Sequence, residues 1–139
     1  MKARRFIVWA LLAAAPLAAC KGERCETPFG EGATIDVTQA EFSNLYNNPG
    51  GTLVLNRGHR GILVRCAALG SYAAFECACP NDHDVRMLPD DEHFALRLTC
   101  PVCGSSFDVV YGNPIEGSVT PCPLYQYGTS FDGQMLNIY

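Results

Sequence analysis

The chain has 139 residues, with 10 lysines and arginines against 14 aspartates and glutamates, a formal net charge of −4, and 48% apolar residues. A typical domain takes roughly 100–200 residues, so one domain is expected and a complete two-domain enzyme is not. The acidic balance argues against a nucleic-acid partner, which would require a basic surface facing its phosphates.

The N-terminus reads as an export signal. Met1-Lys-Ala-Arg-Arg5 is a short basic segment, and the apolar run from Phe6 to Ala19 ends in small residues, as a secretory leader does. The run falls short of the ~20 apolar residues that a membrane-spanning helix needs. Leu17-Ala18-Ala19-Cys20 resembles the bacterial lipobox, in which a cysteine after small residues is lipidated and becomes the new N-terminus. Cys20 is therefore the expected lipid attachment point, with residues 1–19 as leader, 20–32 as a lipidated tether and 33–139 as the domain. Loss of the leader removes Lys2, Arg4 and Arg5 and leaves 7 basic and 14 acidic residues, a net charge of −7. Two or three acyl chains hold firmly to a bilayer, so the expected partner is a membrane outside the cytoplasm. Lys21, in place of aspartate after the lipidated cysteine, points to the outer membrane.

Lys21 to Gly32 is polar and glycine-rich, as a tether would be. Thr38 followed by Glu41 forms a capping box, and Phe42, Leu45 and Tyr46 recur at helical spacing until Asn47-Asn-Pro-Gly-Gly51, which predicts one short helix. From Thr52 the pattern changes to short β-type runs between glycine, proline and asparagine turns, at 52–56, 61–66, 72–78, 94–99, 106–111, 124–127 and 135–139. Asp132-Gly133 predicts a hairpin turn before the last of these. The expected class is all-β with small helical content, a sandwich or small barrel.

Apart from Cys20, seven cysteines remain, an odd number that rules out complete internal pairing. In an oxidising compartment, disulfide pairing is expected first among Cys25, Cys66 and Cys122. Cys100-Pro-Val-Cys103-Gly104 reads differently. A Cys-x-x-Cys ending in glycine between two strands forms a knuckle whose amides face the sulfurs, and such knuckles hold zinc or iron. A second ligand pair about twenty residues earlier is available in Cys77-Ala-Cys79-Pro-Asn-Asp-His83. A thiol–disulfide oxidoreductase using Cys100 and Cys103 is the rival reading, but Ser105-Ser-Phe-Asp-Val-Val-Tyr111 continues as strand where that chemistry needs a helix.

Cys100-Pro-Val-Cys-Gly-Ser-Ser-Phe-Asp108 resembles the second cluster-binding loop of Rieske proteins, Cys-Pro-Cys-His-Gly-Ser-x-Phe-Asp. Ala74-Phe-Glu-Cys-Ala-Cys79-Pro80 resembles the strand entering their first loop, and Gly112 to Gly117, Pro123 to Tyr127 and Asp132 to Leu136 follow their proline loop and last strands. The resemblance spans residues 52–139 and implies stacked antiparallel sheets with a rubredoxin-like tip. It also implies a [2Fe–2S] cluster, an electron-transfer role with an unidentified redox partner, and a carrier rather than an enzyme. Cys79 and Cys100 match the family's cysteine ligands, while Asn81 and Cys103 stand at its two histidine positions. Cys79, Cys100 and Cys103 are thus the expected core ligands, with His83 or Cys77 as fourth, and Ser105 matches a serine that bonds to a cluster sulfur. His59 and His93 read as ordinary surface histidines.

Thiolate in place of imidazole adds negative charge and lowers the expected potential from the Rieske range of about −150 to +300 mV toward the about −400 mV of all-cysteine ferredoxins. Arg4-Arg5 followed by Phe-Ile-Val is a poor twin-arginine signal, however, and a chain exported unfolded would acquire zinc afterwards as a structural staple. That alternative makes the domain a binding or scaffolding module.

Overall fold

The structure, a computed structural model, describes residues 24–90 and 96–139. The leader, Cys20 and His93 lie outside the described residues. Among the described residues, ten strands form three antiparallel sheets. β1 (Ala33–Asp36), β10 (Met135–Ile138) and β9 (Thr129–Phe131) make the first, in the order β1-β10-β9. β2 (Thr52–Leu55), β3 (Ile62–Ala68), β4 (Ser71–Glu76) and β8 (Gln126–Tyr127) make the second, in that order. β5 (Leu88–Pro89), β6 (Arg97–Thr99) and β7 (Ser106–Asp108) make the third. The expected all-β class with antiparallel sheets is what the chain adopts.

The central pair β3–β4 explains how so small a chain encloses two cores. Successive side chains of a strand point to opposite faces. Ile62, Val64 and Cys66 of β3 and Tyr72 and Ala74 of β4 therefore face one way, packing against Val37, Leu45, Leu136 and Ile138. Leu63 and Phe75 face the other way, against Cys77, Met87, Leu98, Phe107 and Leu124. Ile62, Leu63 and Val64 are all fully buried, so β3 shows an unbroken apolar run instead of alternation. One side of the sheet carries β1, β10 and β9, and the other carries the β5–β6–β7 sheet.

The expected helix after Thr38 is only a single 3₁₀ turn, Ala40–Phe42. The Thr38 hydroxyl donates to Asp36 Oδ1 at 2.6 Å and the Thr38 backbone N–H donates to the same oxygen at 3.0 Å, so the capping box does not form. Leu45 still reaches the core, on a run of turns that ends at Asn47 with a positive φ of 50°. The last hairpin follows expectation, with Asp132 Oδ1 accepting from the N–H groups of Gln134 and Met135 and Gly133 at φ 105°.

Part of the expected tether is fastened to the domain. Cys25 is disulfide-bonded to Cys122, 97 residues away, which settles the pairing left open in the sequence. By chain entropy, closing a loop of that size stabilises by roughly 4–5 kcal/mol. Phe29 stacks on Tyr125 at a centroid distance of 4.5 Å, Thr27 Oγ1 donates to the Pro123 carbonyl, and Gly58 N–H donates to the Glu31 carbonyl.

A buried carboxylate ties the β2–β3 loop and β8 to the end of β4. Glu76, at the end of β4, is fully buried and accepts from four donors: the His59, Arg60 and Ala78 N–H groups at 2.8, 2.8 and 3.1 Å, and the Tyr127 hydroxyl at 2.5 Å. Tyr127 O in turn accepts the Gly30 N–H. The approach is so close at Gly58, where φ is +72°, that a Cβ would lie 2.5 Å from Glu76 Oε2 and 2.7 Å from the Tyr127 oxygen. Desolvation, then the Glu76 carboxylate, push the Tyr127 hydroxyl well above its ordinary 10.0.

Glu76→Ala orphans buried donors and is expected to cost about 3 kcal/mol or more in urea unfolding, against about 1 kcal/mol for Tyr127→Phe. Above pH 10 the unfolded chain loses the Tyr127 proton that the folded chain keeps, so this part of the stability falls as pH rises. Tyr127→Phe should flatten the alkaline slope, and an unchanged slope would show that the hydroxyl titrates normally.

Candidate metal centre

Two loops at one end of the second core carry the cysteines. The first leaves β4 at Cys77 and returns at Met87. Its stem is an isolated bridge between Ala78 and Arg86, with Met87 N–H donating to the Cys77 carbonyl at 2.8 Å and Cys79 N–H to the Val85 carbonyl at 3.0 Å. The second is the tip of the β6–β7 hairpin, closed by Cys100 N–H to the Ser105 carbonyl at 2.9 Å and Gly104 N–H to the Cys100 carbonyl at 3.0 Å. Gly104 sits at φ +73°, where any other residue would be strained.

The loops bring together Cys79, Cys100, Cys103 and Asp82, whose ligand atoms all lie within 4.8 Å of one another. Cys79 Sγ is 3.7 Å from Cys103 Sγ, and Cys100 Sγ is 3.7 Å from Asp82 Oδ2. Cys79 and Cys100 are buried and Cys103 is half-buried. The knuckle geometry expected from Cys-x-x-Cys-Gly is present, since the backbone of Asp82 and Asn81 hydrogen-bonds to the Cys79 sulfur and that of Ser105 to the Cys103 sulfur. Ser105 is fully buried, its Oγ 3.3 Å from Cys103 Sγ. That Oγ accepts the Val119 N–H at 3.0 Å and the Cys103 thiol, and toward a Cys103 thiolate its hydroxyl donates instead.

Two expected candidates stand apart from this group. His83 is exposed, and its Nε2 lies 2.9 Å from the Pro80 carbonyl. Cys77 is fully buried among Leu63, Phe75 and Met87. Asp82 was not singled out in the sequence, because it is one of three acidic or amide residues around His83 and carries no spacing signal. Cys66 is likewise a core residue, its Sγ donating to the Ala68 carbonyl. His59 is a surface residue, 3.4 Å from Asp84, which also pairs with Arg60 at 3.0 Å and so links the β2–β3 loop to the first cysteine loop.

Burial pushes the Cys77 and Cys79 thiols up to about 12. At Cys103 desolvation acts in the same direction, but the Ser105 hydroxyl and backbone N–H outweigh it and hold the thiol below its ordinary value. This set of soft sulfur donors with one hard oxygen suits zinc or iron and is a poor host for magnesium or calcium. The strand after Cys103, Ser106–Asp108, provides no helix dipole to activate a redox dithiol.

No protein-family model matches the chain, and no curated protein matches it. Among solved structures it is similar to the ferredoxin of carbazole 1,9a-dioxygenase from Nocardioides aromaticivorans IC177, at 19% sequence identity and a TM-score of 0.46, covering 81% of this chain and 97% of that one.

In the metal-free protein with its Cys25–Cys122 disulfide intact, Cys103 is expected to be alkylated before Cys77 and Cys79 by iodoacetamide at pH 7.5, with those two at least tenfold slower, because thiolate fraction and access both favour it. Peptide mass mapping over time checks this, and equal rates at Cys79 and Cys103 would contradict it.

Proposed function

We propose that the chain is an exported, lipid-anchored Rieske-like domain that holds a thiolate-rich metal centre at its tip and serves one-electron transfer. The observation that carries the reading is the convergence of Cys79 with Cys100 and Cys103 from two separate loops, each closed by its own backbone hydrogen bonds. The motif Cys100-Pro-Val-Cys-Gly-Ser-Ser-Phe-Asp108 supports an iron–sulfur assignment, and Cys20 supports the anchor. Cys79, Cys100 and Cys103 are the residues that would hold a [2Fe–2S] cluster, which supplies one-electron chemistry when bound. Ser105 would lower the electron density on the Cys103 sulfur and raise the potential, while thiolate in place of imidazole lowers it. Cys103 is the least buried of the three cysteines, and its neighbour Val102 is exposed, which gives an electron a short path to the surface.

One observation favours a second reading, a single zinc ion acting as a staple. In a tetrahedral site with metal–sulfur bonds of about 2.3 Å, ligand atoms sit roughly 3.8 Å apart. The Cys79–Cys103 and Cys100–Asp82 separations, both 3.7 Å, match two opposite edges of such a tetrahedron. A two-iron cluster spreads its ligand pairs over separate irons and so needs a wider set.

The test is metal analysis with visible absorption on the protein recovered from its native compartment, beside Cys79→Ser, Cys100→Ser and Cys103→Ser. Two irons per chain, sulfide-to-iron bands lost in each variant, and a midpoint below about +100 mV are expected for the electron carrier. One zinc in a colourless protein would establish the staple instead, and no bound metal would remove both readings.

A further inference from the structure

We infer that Asp82 is the fourth protein ligand of this centre, giving a Cys3Asp donor set in which neither His83 nor Cys77 takes part. The inference rests on the metal-centre reading, and the close spacing from which it is argued is that of a single bound ion. A carboxylate oxygen 3.7 Å from the Cys100 sulfur, within 4.8 Å of every other donor atom, is already at ligand spacing. The loop enforces this arrangement. Val85 N–H donates to the Asp82 carbonyl at 2.8 Å, and the Asp82 backbone hydrogen-bonds to the Cys79 sulfur, so the residue is fixed in the turn of the first knuckle.

The competing candidates face elsewhere. The His83 Nε2 is taken up by the Pro80 carbonyl at 2.9 Å, and coordination would require that contact to break and the exposed ring to turn inward past Asp82. Cys77 lies among Leu63, Phe75 and Met87, and its sulfur hydrogen-bonds to the backbone of Leu63, on the far side of the stem bridge. Asp84, the other carboxylate of the loop, is 82% exposed and committed to Arg60 and His59.

The consequence for the ligand class is specific. Three thiolates with one carboxylate place a hard, weakly held oxygen beside soft sulfurs. Such a position favours a divalent first-row ion and makes the oxygen the exchangeable ligand of the set.

The test loads the full chain, with its Cys25–Cys122 disulfide intact and its other cysteines reduced, with Co(II) and titrates against Zn(II), using Asp82→Ala, Asp82→Cys, His83→Ala and Cys103→Ala. Cys103→Ala should abolish thiolate-to-cobalt charge transfer or weaken Zn(II) binding by at least 100-fold. If it leaves both unchanged, the metal-centre reading itself fails. With that control in place, Asp82→Ala should weaken Zn(II) binding at least tenfold and shift the cobalt d–d bands, while His83→Ala changes neither. Asp82→Cys should retain the metal and raise the charge-transfer absorbance in the ratio of four thiolates to three, a gain that holds even if Asp82→Ala folds poorly. Wild-type bands in Asp82→Cys, or loss of binding in His83→Ala equal to that in Cys103→Ala, would overturn the assignment.

Discussion

Where β4 ends, the chain has to leave a packed sheet and enter a loop of buried cysteines, and the Glu76 carboxylate holds that exit in one shape. Its Oε1 takes the Arg60 and Ala78 N–H groups and its Oε2 takes the His59 N–H and the Tyr127 hydroxyl. One side chain thus fixes the β2–β3 loop, the β8 strand and the residue between Cys77 and Cys79. Unpaired, each of these groups would cost about 1–3 kcal/mol to bury. The N-terminal segment is drawn in by the same network through Gly30 and Tyr127, and the Cys25–Cys122 disulfide fastens it again a few residues earlier.

Above this anchor, the two cysteine loops need little further support. The second core, with Phe75, Phe107, Leu98 and Met87 fully buried, lies directly beneath them and includes Cys79 and Cys100 themselves. Burial raises the Cys79 thiol, so a metal bound there would have to displace its proton. The scaffold already has sulfurs and amides facing one another, and metal binding would leave few groups to order.

Much of this architecture was legible in the sequence, and the failures have physical causes. The 52–56, 61–66 and 135–139 runs became β2, β3 and β10 because β-branched and aromatic residues between turn residues leave few alternatives. The 124–127 run narrowed to the two residues of β8, β5 with two residues is too short for a period to show, and β1 and β9 are defined mainly by their pairing with β10. The helix signal failed because Asp36, two residues before Thr38, captured the hydroxyl that the capping box required. Cys79, Cys100 and Cys103 could be picked out because spacing and the glycine at 104 specify a knuckle. Asp82 could not, since the difference between it and His83 is one step along a tight turn, decided by the Val85 and Pro80 contacts. The pairing of Cys25 with Cys122 joins residues 97 apart, and nothing local distinguishes Cys122 from Cys66 as a partner.

Charge decides what such a donor set can hold. Two thiolates and two neutral imidazoles bring two negative charges to a metal, whereas three thiolates and a carboxylate bring four, in a chain that is acidic throughout. A divalent ion offsets half of that charge. The remainder falls on dipoles, namely the backbone of Asn81, Asp82 and Ser105 and the Ser105 hydroxyl, which donates toward a Cys103 thiolate. Adding an electron to a centre already this negative is unfavourable, so an iron occupant resists reduction more than a histidine-ligated centre on similar loops would. Zinc, which takes up no electron, meets no such penalty. A donor set of three thiolates and one carboxylate would therefore govern both the potential of the centre and the choice between a redox role and a structural one.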